Sequence, residues 1–192
     1  GEARGGSVRG RLFGLITFTG IENVFDPHNI SAVMRTCDAA GIQDIYILNT
    51  KIPPHKKWGA RSSSSAAAWL TIHPFDNAEE CFHALRKSYS TILTTHLSSD
   101  AVFLHDIDLT QRMALVFGNE HEGVSEEIRK LGDGNFVIPQ VGIIQSLNIS
   151  VACAVTLYEA YRQKSKAGHY DKKSLDEGRM NELLKEWSRG EL

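Results

Sequence analysis

Apolar residues fall along the chain in short, nearly continuous runs, and these alternate with stretches in which they recur every three to four positions. The runs LFGLITF (12 to 18), DIYILN (44 to 49), STILTTHL (90 to 97), MALVFG (113 to 118) and NFVIP (135 to 139) read as strands. Between them the period turns helical. Ile30, Val33, Met34 and Cys37 follow the i, i+3, i+4, i+7 rule, with Asp26 as cap, Pro27 in the first turn and Gly41 as the stop. Phe82 and Leu85 share a face in a segment capped near Asp76, and Ser125 followed by Glu126 and Glu127 gives an acidic first turn to a helix ending at Leu131. Leu147, Val151, Ala154, Val155 and Tyr158 are expected to make the core face of the last long helix. Strands that are apolar throughout and alternate with helices predict an α/β fold, with a mostly parallel sheet flanked by helices. In such folds ligands collect at the carboxyl ends of the strands.

Three segments stand apart from this pattern. Residues 1 to 11 set Arg4, Arg9 and Arg11 among glycines and read as a flexible basic arm. The loop KIPPHKKWGARSSSSA (51 to 66) carries Lys51, Lys56, Lys57 and Arg61, and reads either as a solvated linker or as a grip on a polyanion. Residues 175 to 188 put Met180, Leu183, Leu184 and Trp187 on one helical stripe. A stripe this short makes no core of its own, so it must dock on the main domain or on a second subunit. The expected organisation is a basic segment 1–11, a catalytic-type domain 12–165 and an amphipathic extension 166–192.

Composition narrows the class. A chain of 192 residues, 42% of them hydrophobic, buries one substantial core. The net charge of -2 means that any attraction to nucleic acid comes from local basic patches. No apolar run approaches the roughly 20 residues of a membrane helix, and GEARGGSVRGR lacks the apolar core of a signal peptide. No membrane association is expected. Cys37, Cys81 and Cys153 are odd in number and far apart within apolar patterns, which predicts reduced, buried thiols in a cytoplasm, with no disulfide framework and no metal site.

The candidate chemistry lies in three polar stretches. In FGNEHEGVS (117 to 125) the glycines are spaced like those of a phosphate-binding loop, but Val124 stands where that loop needs lysine. What remains is a glycine turn at a strand end that lets main chain approach a flat or bulky ligand, with Asn119 and Glu120 as polar groups. NVFDPHNISAVMRTCDAAG puts Asn29 at a helix start and Arg35 six residues on, roughly 120° around the axis, so that they flank a site. GIIQSLNISVACAV brackets Leu147 and Ile149 with Ser146, Asn148 and Ser150. Each stretch alone also fits an ordinary role: Arg35 as a solvated helix arginine, Ser146 or Asn148 as a cap.

Taken in order, N-x5-R, GNE and IP-x6-SLN-x-S resemble the three motifs of the SpoU branch of the SPOUT RNA methyltransferases, over residues 20 to 164. The tail RQKSKAGHYDKKSL resembles that of the branch acting on guanosine 18 of tRNA. The resemblance implies a carboxyl-terminal deep trefoil knot, an exception to the usual unknotted topology. It also implies S-adenosyl-L-methionine as cofactor, a homodimer with its RNA site at the subunit junction, and tRNA as partner. Position by position, it implies that Thr95, Gly118, Ile138 and Leu147 bind the cofactor. Arg35 would act at the ribose hydroxyl, as base or as cationic clamp, while Asn29, Glu120, Ser146 and Asn148 orient it and hold the loops. Lys56, Lys57, Arg61, Arg9 and Arg11 would grip RNA. The activity implied is 2'-O-methylation of guanosine 18 in the tRNA D-loop; the alternatives are the same reaction on ribosomal RNA, or a non-catalytic RNA-binding module. Two departures stand out: Ala66, Ala67 and Ala68 precede Trp69 where the family carries a polar or charged residue, and the amino-terminal helix of tRNA-specific members is absent or shortened.

Overall fold

A computed structural model of the chain describes residues 17–53, 66–119, 122–144, 146–171 and 177–189. Seven strands, β1 (Thr17–Glu22), β2 (Asp44–Leu48), β3 (Thr71–Phe75), β4 (Thr91–Thr95), β5 (Val102–Phe103), β6 (Met113–Phe117) and β7 (Gly134–Val137), pair in the order β3-β2-β1-β6-β4-β7-β5. Every pairing is parallel. The helices are α1 (Pro27–Ala39), α2 (Ala78–Arg86), α3 (Glu126–Leu131), α4 (Ile149–Lys166) and α5 (Glu177–Arg189). The first strand continues to Glu22, beyond the apolar run that announced it. Two strands went unanticipated. β3 contains Pro74, which weakens a strand pattern yet is tolerated here because β3 is an edge. β5 is two residues long, too short for any periodicity.

Alternation along β6 shows how the sheet divides the core. Leu115 and Phe117 face one side with Val33, Met34 and Cys37 of α1 and Cys153 and Leu157 of α4. Ala114 and Val116 face the other, with Phe82 and Leu85 of α2 and Ile128 of α3. The result is three layers, helix on sheet on helix. Capping follows the sequence closely: Asp26 accepts from the His28 N–H at 2.8 Å, and Ser125 caps α3. The cap of α2 is Asn77, one residue past Asp76, because its side chain is the one that reaches the Glu80 N–H, at 3.0 Å. All three cysteines are free and buried, and burial beside Cys153 pushes the Cys37 thiol well up, so it stays protonated and inert.

The core face of α4 is not the one expected. Ile149, Cys153, Leu157 and Ala160 pack inward with Thr156 and Lys164, whereas Leu147, Val151, Val155 and Tyr158 are exposed, Tyr158 by 54%. Apolar residues occupy two stripes of this helix, and α1 covers the stripe that carries two polar residues. The tail helix docks on the domain of its own chain. Leu183 and Trp187 are buried, Trp187 meets Trp69 edge-on at 5.8 Å, and Arg179 Nη2 donates to the Thr71 hydroxyl at 3.4 Å.

The far end of α4 is fastened by polar groups. Gln163 accepts from the Leu109 N–H at 2.9 Å and donates to the Ile107 carbonyl at 3.1 Å, and Lys164 Nζ donates to the Thr110 carbonyl at 3.2 Å. Burial pushes the Lys164 ammonium down to about 8 from 10.5, against the pull of Asp108. Below pH 8 the amine is charged in folded and unfolded chain alike and its burial costs stability. Between 8 and 10.5 the unfolded chain holds a proton that the folded one has released, so stability rises with pH. Across that window thermal unfolding of the wild type is expected to gain on the order of 2 kcal/mol relative to Lys164→Met. Parallel profiles for the two proteins would show that Lys164 is not the group responsible.

Candidate active site

Because β6, β4 and β7 are neighbours in the sheet, their carboxyl ends lie side by side. The chain leaving them walls a cavity of about 540 Å3. β4 contributes Thr95, His96 and Leu97; β6 contributes Phe117, Gly118 and Asn119; β7 leads into Ile138 and Pro139; Ser146 and Leu147 precede α4; and Phe103 of β5 closes one side.

The β6 wall is a closed backbone turn. Asn119 and Gly123 exchange N–H to carbonyl bonds at 3.2 and 3.1 Å, and the Asn119 side chain accepts from the Glu122 N–H at 2.7 Å. Gly123 has φ of 69°, in the left-handed region that favours glycine. A Cβ on Gly118 would overlap the Gly123 carbonyl group and the Val124 nitrogen, all main-chain atoms that cannot swing aside. The turn is strapped from below by Glu22, a buried carboxylate that accepts from the Ser125 N–H at 2.8 Å, and from outside by Lys51 Nζ, 2.6 Å from Glu122.

The β4 wall has its own polar support. The Thr94 hydroxyl donates to Asn135 at 2.6 Å and the Asn135 amide donates to Ser98 at 3.3 Å, tying β4, β7 and the following loop together. Arg129 Nη1 lies 3.0 Å from His96 Nε2. Burial and the Arg129 charge both hold the His96 pKa below its usual value, which keeps the ring neutral and Nε2 free to accept.

Asn29 and Asn148, 119 positions apart, are brought together: Asn148 Nδ2 donates to Asn29 Oδ1 at 3.1 Å. Asn148 Oδ1 meanwhile accepts from the Ser150 N–H and hydroxyl at 2.8 and 2.6 Å, capping α4. One amide thus caps α4 with its oxygen and reaches α1 with its nitrogen, and the amino ends of α1 and α4 are held side by side. Of the residues singled out from sequence, Thr95, Gly118, Ile138, Ser146 and Leu147 line the cavity. Arg35 is exposed on α1 and is not among the lining residues, and its side chain makes no hydrogen bond or ion pair with the described residues. Glu120, Arg9, Arg11, Lys56, Lys57 and Arg61 lie outside the described residues. His96, Leu97 and Phe103 were not singled out; the first two directly follow Thr95 and the strand-end rule reaches them, whereas Phe103 depends on the unanticipated β5.

A parallel α/β sheet with a glycine-walled cavity across adjacent strand ends defines a small-ligand domain of the doubly covered type. A sequence profile of the SpoU rRNA Methylase family matches residues 18–158, and the chain belongs to that family. Over 171 residues it is 39% identical to the tRNA (guanosine(18)-2'-O)-methyltransferase of Thermus thermophilus, covering 88% of this chain and 86% of that one. The crystal structure of the A. aeolicus TrmH/SpoU tRNA modifying enzyme is similar throughout, with a TM-score of 0.83, 32% identity, and coverage of 100% of this chain and 98% of that one. The SpoU methyltransferase AviRb from Streptomyces viridochromogenes, in complex with the cofactor AdoMet, has a TM-score of 0.70 and 26% identity over 79% of this chain and 61% of that one.

Gly118→Ala tests the wall itself. With main chain of Gly123 and Val124 overlapping the new methyl group, a loss of about 1–3 kcal/mol in unfolding free energy is expected from overpacking, together with a collapsed or displaced turn seen as shifted amide resonances from Asn119 to Ser125. Unchanged stability and resonances would mean that the turn is loose and does not define the cavity.

Proposed function

We propose that this chain transfers a methyl group from S-adenosyl-L-methionine to the ribose 2'-hydroxyl of a guanosine in tRNA, guanosine 18 of the D-loop. The observation that carries the reading is the convergence of the three motif segments: two wall one cavity, and the Asn29–Asn148 bond joins the third to them. The residues present fit the donor. A volume near 540 Å3 suits a nucleoside-sized ligand, Phe103, Phe117 and Phe136 give it apolar wall, and Gly118 lines it with main chain alone. When bound, the donor supplies a methyl group already activated on a sulfonium, so the protein has only to align the 2'-oxygen and assist loss of its proton.

Arg35 is the residue assigned to that oxygen. A guanidinium remains protonated in proteins, so its contribution is to clamp the adjoining phosphate and stabilise negative charge developing on the oxygen, with the proton passing to phosphate or water. Its exposure on α1 leaves it open to an incoming chain. Asn29 and Asn148 fix the helix that carries it, and Ser146 and Glu120 are assigned to holding the loops in register. Thr95, Gly118, Ile138 and Leu147 are assigned to the cofactor, and Lys56, Lys57, Arg61, Arg9 and Arg11 to the RNA backbone.

The reading extends to assembly. The exposed stripe Leu147, Val151, Val155 and Tyr158, with Ile143 fully exposed beside it, supports a homodimer packed through α4. The insertion of β7 between two earlier strands, β4 and β5, supports a trefoil knot in the carboxyl-terminal part. Free buried cysteines support a cytoplasmic setting, and among the described residues no helix is long and apolar enough to cross a membrane.

Labelled methyl transfer from S-adenosyl-L-methionine to an unmodified tRNA transcript, with ribosomal RNA in parallel, tests the function. Label is expected on tRNA alone; label on ribosomal RNA alone would move the substrate. In the same assay Arg35→Ala is expected to lower turnover by about 10²-fold or more with cofactor affinity within about threefold of wild type, and undiminished turnover would remove Arg35 from the mechanism.

A further inference from the structure

The Lys51–Glu122 pair joins two segments with different duties. Glu122 belongs to the cavity wall, in the turn closed by Asn119 and Gly123. Lys51 follows β2 and opens the basic loop. The main chain of Lys51 is fixed in place. Asn23, buried and held at a positive φ of 49°, accepts from the Lys51 N–H at 2.9 Å and donates to the Thr50 hydroxyl at 3.0 Å.

The side-chain end of Lys51 is different. It meets Glu122 at 2.6 Å with side-chain exposures of 55% and 64%. An ion pair so open to water is worth no more than a factor of about five in an equilibrium constant, and salt screens it. A strong acceptor arriving from solvent can therefore displace Glu122. The other strap on the same turn, Glu22 to the Ser125 N–H, is buried and cannot be exchanged in this way. Of these two straps, the buried one is permanent and the exposed one is open to a competing anion. The bond to Glu122 also raises the Lys51 pKa, so the side chain is fully cationic at neutral pH.

We propose that Lys51 is a phosphate-binding residue for the RNA substrate whose resting partner is Glu122, so that an arriving backbone phosphodiester takes over Lys51 and releases the outer strap of the cavity wall. This deepens the reading of the chain as a tRNA-modifying enzyme and rests on it. The consequence is coupling: the ion pair that the RNA opens belongs to the turn that walls the cavity, and linkage makes any effect on cavity binding mutual.

A double-mutant cycle tests the exchange. Equilibrium binding of an unmodified tRNA transcript would be measured over a range of salt for the wild type, Lys51→Gln, Glu122→Gln and the double variant, with S-adenosyl-L-methionine affinity measured beside it with and without tRNA. Lys51→Gln is expected to weaken tRNA binding about three- to tenfold and reduce the salt slope by about one. Glu122→Gln is expected to tighten it about two- to fivefold, and that gain is expected to vanish when Lys51 is already glutamine. An equal gain in both backgrounds would mean that Glu122 merely repels RNA, and an unaltered salt slope in Lys51→Gln would mean that the pair is structural; either overturns the proposal while leaving the tRNA reading intact. Failure of the wild type to bind tRNA, with S-adenosyl-L-methionine still bound, would overturn the reading itself.

Discussion

The main chain at Gly118 runs so close to Gly123 and Val124 that no side chain fits between them, and the functional end of the molecule is organised around that contact. It folds the exit of β6 back on itself, which turns a strand end into a flat, closed wall of backbone. Around it the sheet order places β4 and β7 so that their exits complete the cavity. Two carboxylates then fasten the turn to the end of β1 and the start of the loop after β2, one buried and one exposed. A rigid wall with one loosely held edge suits a site that must keep a small ligand aligned while a large one approaches.

The helices serve the same end of the sheet. α1 and α4 begin side by side because one asparagine amide caps α4 with its oxygen and reaches Asn29 with its nitrogen. From there α4 runs across the sheet with an apolar stripe on each side, one against α1 and one exposed. Its far end is fixed by Gln163 and Lys164 as well as by the buried Ala160. The helix is therefore anchored at both ends by polar groups, while its exposed middle keeps the surface that the proposed dimer needs.

How much of this the chain disclosed depended on whether a signal was local. The α1 helix was legible in full, from the Asp26 cap to its buried stripe, since caps and periodicity are properties of neighbouring residues. β3 was hidden by Pro74, which only an edge position permits, and β5 by its length of two residues. The inward face of α4 is not legible because hydrophobicity cannot rank two apolar stripes; Thr156 and Lys164, which look like surface residues, are on the buried one. At the site, glycine spacing and the order of three motifs pointed to segments that the fold gathers at one cavity. The His96–Arg129 contact did not show, because Arg129 looked like an ordinary last-turn cation of α3 and its partner lies 33 positions away.

The central claim is that the oxygen receiving the methyl group is a ribose hydroxyl rather than a base atom. The most direct measurement gives the enzyme, with labelled S-adenosyl-L-methionine, two tRNA molecules that differ only in the sugar at the target guanosine, ribose in one and 2'-deoxyribose in the other. The account predicts one methyl group on the ribose form and none on the deoxy form, with both molecules bound about equally because phosphates dominate affinity. Methylation of the deoxy form would place the chemistry on the base and contradict the assignment of Arg35 and its supporting asparagines.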